Sequence, residues 1–438
     1  MLEVFNSFLV FGVLLIVGVV IRGLLPPIQK VLLPASLIGG IIGLVLGPQL
    51  LGIIDIPTVF SEVPSIGMRI IMACVPMGIT VTAKRIYQHL DFTFANMTVF
   101  GFQMIFGLLL GAVLIKFWPS LPEGWGLMGN AAYFGSHGSV PVVSDVIDKT
   151  GEYGAQSIGM VMATIGILFA MIPGMAIANY GARKGLTKFT TDVTKQPLYF
   201  FRGTLPEEKQ DSIGKIKVNP TNVTAIALQF GILAVSIRFG EIIFKTLANI
   251  VPFLGNVSPM LWGLVGGLIL WPVMMKLKLD DYVDKGTINQ ISNFTLEVVI
   301  LAAFTTIRLD IVSQLIVPLL IHGIVILSAS AVFIFAWMRY LGHDQWFEKS
   351  LMLFGMTSGS NAQGLSLVRA IDPENKSVIY EALGVYNAVF FWNFIVLPFA
   401  ASIVLYNRTP IYIIGAGLML TSILGTILFS RDKKANNN

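Results

Sequence analysis

Two polar stretches interrupt a chain otherwise dominated by apolar runs, and they hold most of the side chains able to do chemistry. The first, NAAYFGSHGSVPVVSDVIDKTG, runs from Asn130 to Gly151 and carries Ser136, His137 and Ser139 among glycines. The second, from Phe354 to Asp372, carries Ser358, Ser360, Asn361 and Gln363. Hydroxyl, imidazole and amide groups beside glycine-rich backbone are suited to recognition. Hydroxyl and carbonyl oxygens suffice for a hard monovalent cation, and N–H and O–H donors suit a carboxylate. Bond-making chemistry has no comparable signature: there is no G-x-S-x-G elbow, H-E-x-x-H pair or nucleotide-binding loop, and Ser136 next to His137 is not a dyad. The chain is expected not to be an enzyme. Read blandly, the same small polar residues only satisfy a broken backbone.

The elements that must position these residues are membrane helices. The 438 residues are 55% hydrophobic and 12% charged with mean hydropathy +0.78, which excludes a soluble globular protein and points to an all-α polytopic membrane protein. Cys74 is the single cysteine, so no intrachain disulfide forms, and no Cys or His spacing marks a metal site. The formal charge of +5 is read as basic cytoplasmic loops rather than as a nucleic-acid footprint. The N-terminal run lacks a basic n-region and is read as a retained span. Apolar segments of spanning length are predicted near residues 4–22, 33–51, 66–83, 92–116, 155–180, 221–244, 257–275, 288–307, 312–338, 378–405 and 410–429. The expected organisation is a first membrane repeat over 1–182 with a re-entrant loop near 122–150, and a cytoplasmic linker over 183–220. A second repeat then covers 221–406 with a loop near 350–372, and residues 407–438 form an extra helix and tail. With the N-terminus outside, 22 of the 29 basic residues fall on the cytoplasmic side, Lys349 among them, together with the linker and C-terminus.

The halves resemble each other at an offset near 225. Pro34-Ala-Ser-Leu-Ile-Gly-Gly40 with Pro48 matches Pro259 to Gly267 with Pro272, Thr80 and Thr82 correspond to Thr305, and Gly135-Ser136-His137-Gly138 falls on Gly359-Ser360-Asn361-Ala362. Five spans per half make the repeats inverted, a plan of secondary transporters whose site lies where the halves meet. Two breaks entering from opposite faces suit alternating access.

PASLIGG after the first span, FGSHGSVPVVSDVI in the first break and MTSGSNAQGLSLVRAIDP in the second resemble the bacterial sodium:glutamate symporters, the glutamate:sodium symporter (ESS) family, over about residues 4–405. The resemblance implies Na+-coupled uptake of L-glutamate across the bacterial inner membrane, two glycine-rich re-entrant loops, a homodimer in the lipid bilayer, and an elevator-like movement. Family members often carry Gly-Gly-x-Gly in the first loop, where this chain has Phe134-Gly135-Ser136-His137-Gly138-Ser139.

On this reading Ser136, His137, Ser139, Ser358, Ser360, Asn361 and Gln363 bind substrate and ion, and Gly135, Thr80, Thr305 and Gly359 are the expected Na+ positions. His137 either serves proton coupling or substrate binding, or is a buried neutral histidine on a carbonyl. Arg369 is either a clamp for an acidic substrate or a positive-inside anchor beside Asp372. Polar residues inside spans are costly and often functional. Asn387 and Asn393 are the stronger candidates, with Asn293 and Glu297 behind them, whereas Thr82 and Thr306 suit back-bonding to their own helices. Asp145 and Asp148 suit capping or solvation, and the paired glycines from Gly39 to Gly47 and Gly263 to Gly267 suit helix packing. Competing functions are a Na+- or H+-coupled symporter of another small carboxylate or amino acid, a cation/proton antiporter, and a channel.

Overall fold

The computed structural model describes residues 2–30, 33–78, 83–149, 151, 154–189, 207–209, 217, 223–250, 259–341, 345–372, 376–390 and 392–435. Thr80 and Thr82 lie outside the described residues, as does most of the predicted linker. Regular structure among the described residues is helical, with no strand. That is the form in which each segment satisfies its own N–H and C=O groups away from water. In chain order the helices are α1 (Leu2–Leu24), α2 (Pro26–Lys30), α3 (Ala35–Leu46), α4 (Val63–Cys74), α5 (Ala83–Leu114), α6 (Trp125–Asp148), α7 (Ala155–Arg183), α8 (Ala225–Ala248), α9 (Leu261–Lys276), α10 (Lys285–Thr305), α11 (Leu309–Leu341), α12 (Trp346–Ser358), α13 (Asn361–Ile371), α14 (Ile379–Val389), α15 (Asn393–Val404) and α16 (Thr409–Ala435).

Among the described residues seven helices are long and apolar enough to cross a membrane, within α1, α5, α7, α8, α10, α11 and α16. The chain is an all-helical, apolar protein of membrane type. The segments predicted near 33–51, 66–83 and 257–275 come out shorter, as α3, α4 and α9. The span predicted over 378–405 is two helices, because the backbone leaves α14 at Phe390 and the Asn393 N–H closes a tight turn on the Phe390 carbonyl (3.2 Å).

The chain forms two compact units. The first comprises residues 1–26, 33–80 and 202–307, hence α1, α3, α4, α8, α9 and α10. Lipid gives apolar helices no hydrophobic reason to associate, so close backbone approach at small residues must supply the contact. Gly18 of α1 lies against the Ala35 carbonyl and Gly39 of α3 against the Leu14 carbonyl. In the same way Gly240 of α8 lies against the Trp262 carbonyl and Gly266 of α9 against the Ser236 carbonyl, and a Cβ at any of the four would strike backbone. Gly40 packs α3 onto Leu301 and Phe304 of α10, while Gly267 packs α9 onto Ala73 and Pro76 at the end of α4. The Lys285 ammonium donates to the Cys74 carbonyl (3.1 Å) and the Met77 carbonyl, placing a cation at the negative end of α4.

The second unit comprises residues 27–32, 81–201 and 308–438, and contains α5 to α7 and α11 to α16. Here α16 lies along α5: Gly101 fits against the Gly415 carbonyl and Met419, and the Phe94 ring stacks on Phe429 at 5.6 Å. A charged pair is enclosed in the same unit. Lys349 Nζ donates to Asp91 Oδ2 at 2.8 Å, and the two side chains are 4% and 1% exposed. Lys349, counted above among the cytoplasmic basic residues, is thus enclosed and paired. The helix start at Trp346 puts it in the first turn of α12, turned inward onto α5. Glu348 beside it is buried as well and accepts the Lys188 N–H (3.0 Å).

Removing one member of such a pair strands the other charge in a dry interior, whereas removing both does not. Lys349→Met is expected to lower the unfolding free energy in detergent by about 3–5 kcal/mol, and Asp91→Leu together with Lys349→Met to recover most of that loss, read by denaturant or thermal unfolding.

Candidate functional site

Both polar stretches lie in the second unit, and neither is an open loop. The sequence predicts loops over 122–150 and 350–372, whereas the structure keeps helix on both sides of a short break, since a helix leaves only its ends unsatisfied. In α6 the break is a single residue. Ser136 has φ 56° and ψ −158°, and residues 125–135 and 137–148 are helical around it. The break is enclosed by protein: every residue from Trp125 to Phe134 is buried, and so are Ser136, His137 and Ser139. Gly135 is required because the Ser139 hydroxyl occupies the space where its Cβ would stand. Ser136 Oγ lies 3.2 Å from His137 Nδ1, and His137 Nε2 lies 3.2 Å from Thr164 Oγ1 on α7. The imidazole is thus held between two hydroxyls.

The second break spans Gly359 and Ser360, between α12 and α13. Gly359 still donates its N–H to the Gly355 carbonyl (3.0 Å), after which Ser360 is fully extended and caps α13 by accepting the Ala362 N–H (3.2 Å). Its hydroxyl also donates to Gln363 Oε1, and Asn361 Nδ2 donates to Asn387 Oδ1 of α14 at 3.0 Å. Ser360, Asn361, Gln363 and Asn387 thus form one polar cluster at the start of α13. Ser358 is fully buried and its hydroxyl has no partner.

The two breaks share a neighbourhood. Gly166 of α7 lies against the Ser358 carbonyl and the Tyr133 ring, so residues flanking both breaks converge on one glycine. The rings of Phe100, Phe134 and Phe390 form a second shared contact, with centroids 5.2–5.9 Å apart. The remaining candidates fall elsewhere. Arg369 is exposed in the last turn of α13, eight residues and about 12 Å along the axis from Asn361. Asp372 is buried and accepts the N–H groups of Lys376 (3.0 Å) and Ser377 (2.8 Å). Asn393 is buried at the start of α15, with its side-chain oxygen unpartnered. Thr305 belongs to the first unit, where its hydroxyl donates to the Leu301 carbonyl (2.8 Å), and Thr306 back-bonds to Ala302 (2.9 Å). Asn293 and Glu297 also lie in the first unit, on α10, exposed and half-buried respectively. Asp148 accepts the Ala155 N–H (2.8 Å) and so caps α7.

Two buried residues that the sequence pattern passed over support the breaks. His322 of α11 donates from Nε2 to the Gly107 carbonyl (3.2 Å), leaving Nδ1 to accept from the Tyr133 hydroxyl (3.1 Å) two residues before Gly135. Gln103 of α5 donates to the Thr357 carbonyl (2.7 Å) at the end of α12. Each is a solitary polar residue in an apolar run, FGFQMIF and LLIHGIV, and that isolation is the signal that marks them. No protein-family model matches the chain, and no curated protein matches it.

The backbone of Ser136 lies in a region that costs an L-residue about 1–3 kcal/mol and glycine almost nothing. Ser136→Gly is therefore expected to leave thermal stability equal or higher, and Ser136→Val to lower it by about 1–3 kcal/mol, as read by unfolding of the purified protein.

Proposed function

We propose that this protein is a secondary active transporter that carries L-glutamate into a bacterial cell together with Na+, by alternating access of elevator type. The observation that supports this most directly is the pair of helix breaks in one unit, the first buried and furnished with hydroxyls and an imidazole, the second half-exposed and furnished with a hydroxyl and amides. The first turn of α13 offers N–H donors and the positive end of a helix dipole, which suit an anionic carboxylate. Ser360, Asn361, Gln363 and Asn387 surround that turn. The half of α6 that begins at His137 offers a second such end, with Ser136 and Ser139 beside it. The cation falls to hydroxyls and to the carbonyls at the ends of the preceding half-helices, around Gly135 and Gly359.

Duplication of the two halves is supported by contacts that recur at matching offsets. Gly18 and Gly240 stand 222 residues apart and Gly39 and Gly266 stand 227 apart, and the members of each pair touch corresponding backbone in α3 and α9 or in α1 and α8. Apart from the short segment 27–32, the chain passes from the first unit to the second after residue 80 and again after residue 307, which is also an interval of 227. On this reading the repeats are inverted, the breaks are re-entrant, and the unit that holds both breaks is the carrier. The protein works as a homodimer in the inner membrane, with N-terminus outside and the linker and C-terminus in the cytoplasm. A cation/proton antiporter needs acids at the exchange site, and no Asp or Glu occurs from Phe134 to Ser139 or from Ser358 to Gln363.

The test is uptake of labelled L-glutamate into proteoliposomes with and without an inward Na+ gradient. Saturable uptake that disappears without Na+ is expected. Ser360→Ala is expected to reduce it roughly 10- to 100-fold, the value of one hydrogen bond to a charged group. Absence of glutamate uptake by folded protein would move the substrate to another small carboxylate or amino acid, to be identified by competition. Uptake driven by a pH gradient alone would replace Na+ with H+.

A further inference from the structure

At the end of α12, next to the second break, buried oxygens of three residues lack partners. Thr357 and Ser358 close that helix, both are 0% exposed, and neither Thr357 Oγ1 nor Ser358 Oγ has a hydrogen-bond partner. A helical hydroxyl ordinarily donates to the carbonyl four residues back. Ser350 does so at the start of the same helix (2.7 Å), as do Ser366 of α13 (2.8 Å) and Thr164 of α7 (2.9 Å). Gln103 reaches the same helix end from α5. Its amide nitrogen donates to the Thr357 carbonyl (2.7 Å) and faces Ser330 Oγ of α11 (3.3 Å), while its side-chain oxygen, on a residue 0% exposed, has no partner.

Each buried oxygen left without a partner costs about 1–3 kcal/mol, so three together at one helix end need a physical reason. Oxygens that offer lone pairs are ligands for a hard cation. The last turn of a 13-residue helix adds the negative end of the dipole. No carboxylate belongs to this group, which suits a monovalent rather than a divalent ion.

We propose that Gln103, Thr357 and Ser358 form a sodium-sized monovalent-cation site at the C-terminal end of α12, with Gln103 and Ser330 fixing that end in place. The identity of the ion rests on the Na+-coupled reading above; the location rests on these residues alone. One break then serves two charges. The cation sits at the negative end of α12 and the substrate carboxylate at the positive end of α13, with Gly359 and Ser360 as the only residues between the two helices. Each ion shields the other's charge inside the membrane, which makes the binding of each favour the other.

The experiment measures the melting temperature of the purified full-length protein against NaCl, with choline chloride holding ionic strength constant, and measures binding of radioactive Na+ directly. Wild type is expected to gain stability with Na+ in a saturable way. Thr357→Val, which keeps the side-chain shape, and Ser358→Ala are each expected to raise the half-saturating Na+ concentration at least tenfold. Their melting temperatures in choline alone should equal or exceed that of wild type, since a buried orphan oxygen has been removed. Ser366→Ala, which removes a hydroxyl already bonded to its own helix, is expected to titrate as wild type. Should wild type respond to Na+ while Thr357→Val and Ser358→Ala titrate identically to it, the site is overturned and Na+ coupling stands. Should wild type neither bind Na+ nor respond to it, the Na+-coupled reading fails, and the site with it.

Discussion

A helix interrupted in a water-poor interior must find new partners for the backbone groups on both sides of the interruption, and the second unit is built around that requirement. Each end of a helix leaves up to four N–H or C=O groups unpaired. In hydrocarbon these cost several kcal/mol apiece, so a break persists only where protein encloses it or where it lines a water-filled cavity. The chain keeps its breaks very short, one residue at Ser136 and two at Gly359 and Ser360. Around them polar side chains tie the broken helices to their neighbours: Gln103 of α5 donates to the Thr357 carbonyl at the end of α12, Asn130 of α6 donates to the Phe100 carbonyl of α5 (2.9 Å), and His322 of α11 is tied to both Gly107 of α5 and Tyr133 of α6. These interior amides and imidazoles hold the helix ends at fixed positions, which a site reading charge through helix termini requires.

Close helix packing and polar support occur in both units. In the first unit glycines bring backbone onto backbone, and hydroxyls such as those of Thr305 and Thr306 are consumed by their own helices. In the second unit polar side chains cross from one helix to another, and a lysine and an aspartate are enclosed as a pair.

Much of this was legible in the sequence for definite reasons. Length, apolar content and the spacing of apolar runs predict the helices, and the paired glycines predict packing faces that Gly39, Gly40, Gly266 and Gly267 occupy. The two polar stretches stand out because glycine and serine are unusual in such surroundings. Hydropathy could not show that the chain resumes helix immediately after each interruption, because it averages over a window longer than the break. The same averaging concealed the turn at Phe390, where bulky aromatic residues keep the segment apolar although the helix stops. Gln103 and His322 were obscured because one polar residue scarcely changes the mean of an apolar run, and Lys349 looked like a loop charge because the start of α12 at Trp346 is not marked by composition.

Gln103 and Ser330 bond to each other and stand 227 residues apart, the same interval that separates Gly39 from Gly266. Under the duplicated reading, a residue that meets its own counterpart lies on the axis relating the halves, so the crossing of α5 and α11 is the point about which the unit is symmetric. Symmetry of fold does not extend to symmetry of chemistry there. The longer side chain belongs to one half only, and it reaches the end of α12, where it donates to the Thr357 carbonyl. Under the same reading the two breaks are made unequal by a single position, and the proposed cation site at α12 has no counterpart built by Ser330.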